Sequence, residues 1–173
     1  MLRFATIHRL MTERIGWEGR FYEDFEVGDR YRHPLGRSVT ETDNIWFTLL
    51  TQNTNPIHFD NVYAAKTPFG KVLVNSCFTL ALVTGQSVID LTLNGVANLA
   101  WTDIVLPHPV YVGDTIYSRS DVLAKRESKS RSEVGIVDVK TEGVNQDGTV
   151  VISYKRTFMV YKRAHRPERP PNA

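Results

Sequence analysis

The 173-residue sequence is poor in the residues that build covalent or metal cross-links. It has one cysteine, Cys77, so it cannot form an intrachain disulfide or a cysteine-rich zinc site, and a reducing compartment is expected. The five histidines are not spaced with acids as metal ligands are, and no glycine-rich phosphate loop is present. The longest apolar run, around Cys77 to Val83, is too short to span a bilayer. We therefore expect a cytoplasmic protein with no metal and no membrane partner.

The excess positive charge lies at the two ends of the chain. The formal net charge is +2; residues 1–20 contribute +2 and residues 162–173 contribute +3, which leaves −3 for residues 21–161. A nucleic-acid partner is therefore not expected. The N-terminal residues are amphipathic and carry arginines, as transit peptides do, but Glu13 and Glu18 favour an ordinary extension. We predict an N-terminal extension over 1–20, one domain over 21–161 and a flexible basic tail over 162–173.

The first half of the domain combines one strand with short helices. A strand is predicted over Tyr31–Val39. Thr40 is typical of a helix N-cap, with Asp43 as its capping acid, and the helix that follows carries an apolar stripe. The stripe consists of Ile45, Trp46, Leu49 and Leu50. Pro56 ends this region, and a further helical turn is predicted over Asp60–Thr67.

The second half predicts a buried helix followed by a sheet. Residues 76–91 are apolar around most of the helix circumference, which indicates a helix buried on all sides, with Cys77 as a small buried residue. Four strands follow, over Val96–Leu106, Thr115–Lys125, Gly135–Val144 and Thr149–Tyr161, and Asp147-Gly148 marks the last hairpin. This order predicts an α+β hot-dog fold, in which an antiparallel sheet wraps around one long helix. Because such a sheet leaves open edges, we expect a homodimer or higher homo-oligomer.

The segment Asn53-Thr54-Asn55-Pro56-Ile57-His58-Phe59-Asp60 is the most informative part of the sequence for function. It presents a histidine and two amides from an irregular loop just before the long helix. From the residues alone, two interpretations stay open: a plain turn with a surface histidine, or a catalytic loop.

This segment resembles the hydratase motif of the MaoC-like dehydratases, the relatives of (R)-specific enoyl-CoA hydratase. That motif runs Asp-x-Asn-Pro-x-His. The segments FYEDFEVGD at 21–29, FGKVLVNS at 69–76 and PVYVGDTIY at 109–117 are also similar to the family. The segments VANLAWTDIVLPHPVYVGD and VLAKRESKSR further resemble its mesaconyl-CoA and methylmalyl-CoA branch.

The resemblance implies a hydro-lyase that adds water to a 2-enoyl-CoA thioester. His58 would be the general base, and Asn53 and Asn55 would complete the catalytic loop. The start of the long helix, at Asn75, Ser76 and Cys77, would bind the thioester carbonyl through backbone N–H groups. Coenzyme A would arrive with the substrate, so no separate cofactor is expected. Its phosphates could contact a basic cluster made of Lys125, Arg126, Lys129 and Arg131.

Two positions depart from the family pattern. Asn53 stands where the family has an aspartate, and an amide cannot exchange a proton. Asn75-Ser76 stands where many relatives have His-Gly. Asp60 could supply a carboxylate, although a role as N-cap of the next helix is favoured.

Two alternatives to the hydratase remain open. One is an acyl-CoA thioesterase, and the other is a catalytically weak acyl-CoA-binding subunit. Outside the motif, His33 is expected to be a partly buried polar residue, and His108, between two prolines, to be structural or exposed.

Overall fold

The structure is a computed structural model that describes residues 16–168. Strands β1 (Arg30–Arg32) and β2 (Arg37–Ser38) precede helix α1 (Glu41–Leu50), a 3-10 turn (Pro56–His58) and the short helix α2 (Asn61–Ala64). Helix α3 (Ser76–Gln86) continues into a π-helical turn (Val88–Thr92). Strands β3 (Gly95–Val105), β4 (Thr115–Glu127), β5 (Val134–Val144) and β6 (Val150–Tyr161) complete the domain.

The strands form one antiparallel sheet in the order β1-β4-β5-β6-β3, and β2 also pairs with β4. Strands β4, β5 and β6 are consecutive hairpins, so the centre of the sheet follows the chain. The hairpin predicted from Asp147-Gly148 is confirmed, since Gly148 has a φ of 78° and its N–H donates to Asn145 O. Among the strands of residues 16–168, β3 pairs only with β6 and forms one edge.

Helix α3 packs across one face of this sheet. Phe78 and Val83 belong to a core cluster with Ile116 of β4 and with Ile152 and Tyr154 of β6. A second cluster, around Phe25, Leu91 and Phe158, fills the other end of the same face. The predicted α+β hot-dog fold, with a sheet wrapped around one long helix, is confirmed.

The four long strands begin and end within about two residues of the predicted positions. The predicted strand over Tyr31–Val39 is instead two short strands. The interruption contains Pro34 and Gly36, and proline cannot donate a ladder hydrogen bond. Thr40 and Asp43 form the predicted capping box, with Thr40 Oγ1 accepting from Asp43 N.

The predicted burial of helix α3 on all sides, and of Cys77, was wrong. Helix α3 is covered on one side only, and Cys77, Ala81 and Gly85, spaced four residues apart, lie on an exposed face. In α1 the apolar stripe points outwards, and Trp46 and Leu50 are 75% and 84% exposed. The buried residues of α1 are polar ones that hydrogen-bond to neighbouring loops, which the apolar pattern could not indicate.

The described parts of both ends contact the domain. Trp17 Nε1 donates to Ile89 O, and Arg163 pairs with Asp24 at 2.5 Å. Trp17 and Arg163 therefore contact residues 21–161, and the rest of the extension before residue 16 and of the tail after residue 168 lies outside the described residues. No helix within residues 16–168 is long and apolar enough to cross a membrane.

We expect Gly143→Ala to destabilise the fold, because α3 lies directly against β5 at this glycine. An alanine Cβ would lie 2.6 Å from Val83 Cγ2 and 2.8 Å from Ile152 Cγ2, and both side chains are fully buried. Overpacking of this kind costs about 1–3 kcal/mol. The measurement is the free energy of unfolding in urea. Gly16→Ala is the control, because its Cβ would meet nothing within 4 Å. Equal stabilities for the two variants would contradict the close contact.

Candidate active site

His58 is half-buried at the end of the 3-10 turn before α2. Its Nδ1 lies 3.0 Å from Leu73 O. A carbonyl oxygen only accepts, so Nδ1 carries the proton, and in the neutral ring Nε2 holds the lone pair. This contact fixes the tautomer that a general base requires.

The two asparagines of the motif shape the loop through their side-chain oxygens. Asn53 Oδ1 accepts from Asn55 N at 3.0 Å, and Asn55 Oδ1 accepts from Ile57 N at 3.1 Å. These are Asx turns, in which the side chain replaces a backbone acceptor. Within residues 16–168, no hydrogen bond joins Asn53 to His58. The amides therefore hold the loop that presents His58, and their place in catalysis stays a prediction.

Asn44 connects this loop to the start of α3. Its side chain is fully buried, and Nδ2 donates to His58 O at 2.8 Å and to Leu73 O at 2.9 Å. Its Oδ1 accepts from Asn75 N at 2.8 Å. One amide thus fixes the histidine loop, the segment before α3 and the N-cap of α3 relative to one another.

Asn75, Ser76 and Cys77 have separate parts in the start of α3. Asn75 is the buried N-cap, and its Oδ1 accepts from Cys77 N at 2.9 Å while its Nδ2 donates to Thr48 Oγ1. The Cys77 N–H is therefore already bonded. The Ser76 N–H has no acceptor among residues 16–168, and Ser76 is exposed. Three backbone N–H groups were predicted to bind the thioester carbonyl, and those of Asn75 and Cys77 already have acceptors. The Ser76 N–H remains available for a ligand, and it lies at the positive end of the helix dipole.

A cleft of about 310 Å³ opens beside Ser76. One wall is the first turn of α3 with the segment before it, and the other is the connection from β3 to β4. Both walls are mostly apolar, with Leu73, Val74 and Thr79 on the first wall and Leu106 and Val110 on the second. The walls are joined by a hydrogen bond from Val74 N to Val110 O at 2.9 Å.

The basic cluster predicted to bind the phosphates of coenzyme A lies elsewhere. Lys125 and Arg126 are in the last residues of β4, whereas the cleft adjoins the loop before its first residue, Thr115. A 13-residue strand is about 40 Å long. Lys125 also donates to Phe25 O. The structure does not bring this cluster to the cleft of the same chain.

Asp60 is an N-cap, as favoured from the sequence. Its Oδ1 accepts from Val62 N and Tyr63 N, each at 2.9 Å, at the start of α2. The Asp60 carboxylate therefore serves to cap the start of α2.

His33 and His108 have different surroundings. His33 is buried, and its ring nitrogens contact Asp90 Oδ2 and Ser120 Oγ, each at 2.9 Å. Burial lowers the pKa of His33, although Asp90 opposes this shift. His108 is exposed and lines the cleft. Among residues 16–168, no three His, Cys, Asp or Glu side chains are grouped as metal ligands.

Sequence reasoning missed Asn44 and Leu73. The polar Asn44 and Thr48 are buried in α1 while the apolar Trp46 and Leu50 face solvent, so no local pattern marks Asn44 as buried. Leu73 contributes only its carbonyl oxygen, which any residue type carries. The roles of both residues depend on hydrogen bonds between residues 15 to 31 positions apart, which only the folded structure shows.

We expect Asn44→Ala to lower the free energy of unfolding by about 2–4 kcal/mol, because it leaves His58 O and the Asn75 N–H buried without their partner. Chemical denaturation measures the change. Asn98→Ala, at an exposed position of β3, is the control and should change stability by less than about 0.5 kcal/mol. Similar losses in both variants would show that Asn44 does not hold the three segments together.

Known proteins resemble this chain over nearly its whole length. The mesaconyl-CoA hydratase family model matches residues 4–168. A mesaconyl-CoA hydratase of Cereibacter sphaeroides is 33% identical over 145 residues, which is 84% of this chain and 42% of that protein. The (R)-specific enoyl-CoA hydratase of Aeromonas caviae is 27% identical over 131 residues, covering 76% of this chain and 92% of that one.

A solved structure is also similar to this chain over most of its length. The putative MaoC domain protein dehydratase from Chloroflexus aurantiacus superposes with a TM-score of 0.83 at 31% identity, over 92% of this chain and 45% of that chain. This chain thus spans less than half of the mesaconyl-CoA hydratase and of the Chloroflexus protein. The chain belongs to the mesaconyl-CoA hydratase family, as its resemblance to the MaoC-like dehydratases predicted.

Proposed function

We propose that the protein is a hydro-lyase that reversibly hydrates a 2-enoyl-CoA thioester to a 3-hydroxyacyl-CoA. The observation that carries this proposal is the contact from His58 Nδ1 to Leu73 O, which leaves Nε2 as the basic nitrogen. Leu73 lies three residues before Ser76, so the base and the open N–H of Ser76 belong to the same small region. The names of the relatives, a mesaconyl-CoA hydratase and an enoyl-CoA hydratase, support this chemistry.

The proposed reaction needs one base and one oxyanion donor. His58 Nε2 takes a proton from water while the oxygen attacks the β-carbon, and the electrons of the double bond move onto the thioester oxygen. The Ser76 N–H stabilises that oxygen, with support from the dipole of α3. Protonated His58 then gives its proton to the α-carbon, so water is added overall and no external oxidant or reductant is used. Coenzyme A is part of the substrate.

One observation favours a second candidate, a catalytically weak subunit that binds acyl-CoA. The motif aspartate is replaced by Asn53, and the nearby carboxylate of Asp60 caps α2. A protein with this loop would bind the thioester at Ser76 without efficient proton transfer. An acyl-CoA thioesterase is the remaining alternative and would release a free thiol.

We expect the wild-type protein to remove the enone absorbance of crotonyl-CoA or mesaconyl-CoA without thiol release. His58→Ala should lower kcat at least about a hundredfold, since general-base catalysis contributes 10²–10⁴. Circular dichroism checks that the variant is folded, and His165→Ala, at a distant exposed histidine, should retain full activity. Turnover retained in His58→Ala would remove this residue from the mechanism, and thiol release would indicate the thioesterase.

The companion variant is Asn53→Asp. A carboxylate oxygen can accept from Asn55 N as the amide oxygen does, so the loop should keep its shape. We expect activity on simple enoyl-CoA substrates to stay equal or to rise. A large loss would show that the Asn53 amide itself recognises the substrate.

We further propose that the chain forms a homodimer in the cytoplasm. Support comes from the exposed apolar faces of α3 and of the edge strand β3, where Trp101 and Val105 are 40% and 56% exposed. A groove of about 440 Å³ runs between the two, from Cys77 to Trp101. A second copy would cover this surface and the open edge.

Light scattering coupled to gel filtration should give about twice the 19.7 kDa chain mass. Trp101→Glu should shift the protein to the monomer, because it places a charge in the apolar groove. Trp46→Glu, at an equally apolar exposed site on α1, is the control and should stay dimeric. A dimer unaffected by Trp101→Glu would place the interface elsewhere.

A further inference from the structure

The side chain of Ser76 lies in the first turn of α3 and lines the cleft of about 310 Å³. Ser76 is exposed, and within residues 16–168 its hydroxyl has no hydrogen-bond partner. The proposed reaction uses only the backbone N–H of this residue. It therefore leaves the hydroxyl of Ser76 without a function.

The other polar side chains of the cleft do not offer a donor to a ligand. Thr79 is buried, and its hydroxyl donates to Asn75 O at 3.4 Å. His108 Nδ1 donates to Val150 O at 2.9 Å, so in the neutral ring Nε2 can only accept. The remaining lining side chains are apolar. Within the described chain, the Ser76 hydroxyl is thus the lining side-chain group that can donate to a ligand.

The backbone around Ser76 does not offer the cleft a second donor either. The Asn75 N–H donates to Asn44 Oδ1 at 2.8 Å, and the Cys77 N–H donates to Asn75 Oδ1 at 2.9 Å. Neither Cys77 nor Phe78 is among the residues that line the cleft, and Phe78 is buried. An oxygen that gains negative charge in a reaction accepts more than one hydrogen bond and is stabilised by each preorganised donor. A second donor at this point therefore has to come from a side chain.

The two donors of Ser76 can reach the same oxygen. The backbone nitrogen and Oγ are joined through Cα and Cβ, and in a gauche rotamer about this bond they lie side by side. The hydroxyl hydrogen rotates to suit its acceptor. The positive end of the α3 dipole favours negative charge at the same place.

We propose that Ser76 is a catalytic residue whose hydroxyl donates a second hydrogen bond to the thioester oxygen, beside the bond from its own N–H. The proposal rests on the proposed function, since it takes the thioester to lie at Ser76. When water adds to the β-carbon, negative charge collects on the thioester oxygen, and the hydroxyl donates to that oxygen but keeps its own proton. Because both bonds become stronger as the charge develops, the hydroxyl should affect kcat more than KM.

The test uses two ligands without a carbon–carbon double bond to hydrate. Acetoacetyl-CoA ionises to an enolate that carries charge on the thioester oxygen and absorbs in the near ultraviolet, whereas the thioester oxygen of butyryl-CoA stays uncharged. Titration of the full-length protein gives the Kd of each. Ser76→Ala should raise the Kd of the acetoacetyl-CoA enolate about tenfold to a hundredfold, as expected for a hydrogen bond to a charged oxygen. The Kd of butyryl-CoA should rise about threefold at most.

Three further variants separate the lost donor from other effects of the substitution. Ser76→Gly removes the hydroxyl and leaves more space, so it should match Ser76→Ala. Ser76→Thr keeps a hydroxyl on Cβ and should recover most of the enolate affinity. Ser132→Ala, at an exposed serine between β4 and β5, should leave both Kd values unchanged. Circular dichroism checks that each variant is folded.

The outcomes distinguish this proposal from the proposed function. Equal loss for both ligands in Ser76→Ala, no loss for either, or no bound enolate in the wild type would overturn the role of the hydroxyl. Selective loss of enolate binding in a protein that hydrates no enoyl-CoA would support that role and refute the hydratase. Hydration by the wild type with unchanged enolate binding in Ser76→Ala would support the hydratase and overturn the role of the hydroxyl.

Discussion

The three hydrogen bonds of the Asn44 side chain hold the candidate site together. They join α1 to His58 O in the histidine loop and to Leu73 O and Asn75 N just before α3, and the amide that makes them is fully buried. Away from water, each of these backbone groups would be costly to leave unpaired. The distance between the imidazole and the first turn of α3 therefore depends on a residue outside the motif.

Local features of the sequence predicted much of the fold. Thr40 and Asp60 are capping residues whose side chains bond within three positions, so their spacing was sufficient. The four long strands follow from β-branched and aromatic runs separated by turn residues. The motif also placed His58 in an irregular loop before α3. These successes all concern contacts over a few residues or strand pairing between chain neighbours.

The features that the sequence did not predict depend on contacts between residues far apart in the chain. Hydrophobicity around the whole of α3 predicted complete burial, yet one face lies open beside β3. An apolar face has the same pattern whether it meets its own sheet or a second subunit. The exposed stripe of α1 has the same ambiguity, with Trp46 and Leu50 outside and Asn44 and Thr48 inside. Backbone carbonyls and side-chain amides brought together from distant segments give no periodic signal in the sequence.

The replacement of the motif aspartate by Asn53 separates the shape of the loop from its chemistry. The loop needs an acceptor for Asn55 N, and the amide oxygen of Asn53 provides it at 3.0 Å. A carboxylate would add a second oxygen able to accept a hydrogen bond or a proton, which the amide nitrogen cannot do. Asparagine at position 53 is therefore sufficient for the loop to fold. In the proposed reaction both proton transfers then pass through His58 Nε2, and its single tautomer, set by Leu73 O, becomes the condition on which hydration depends.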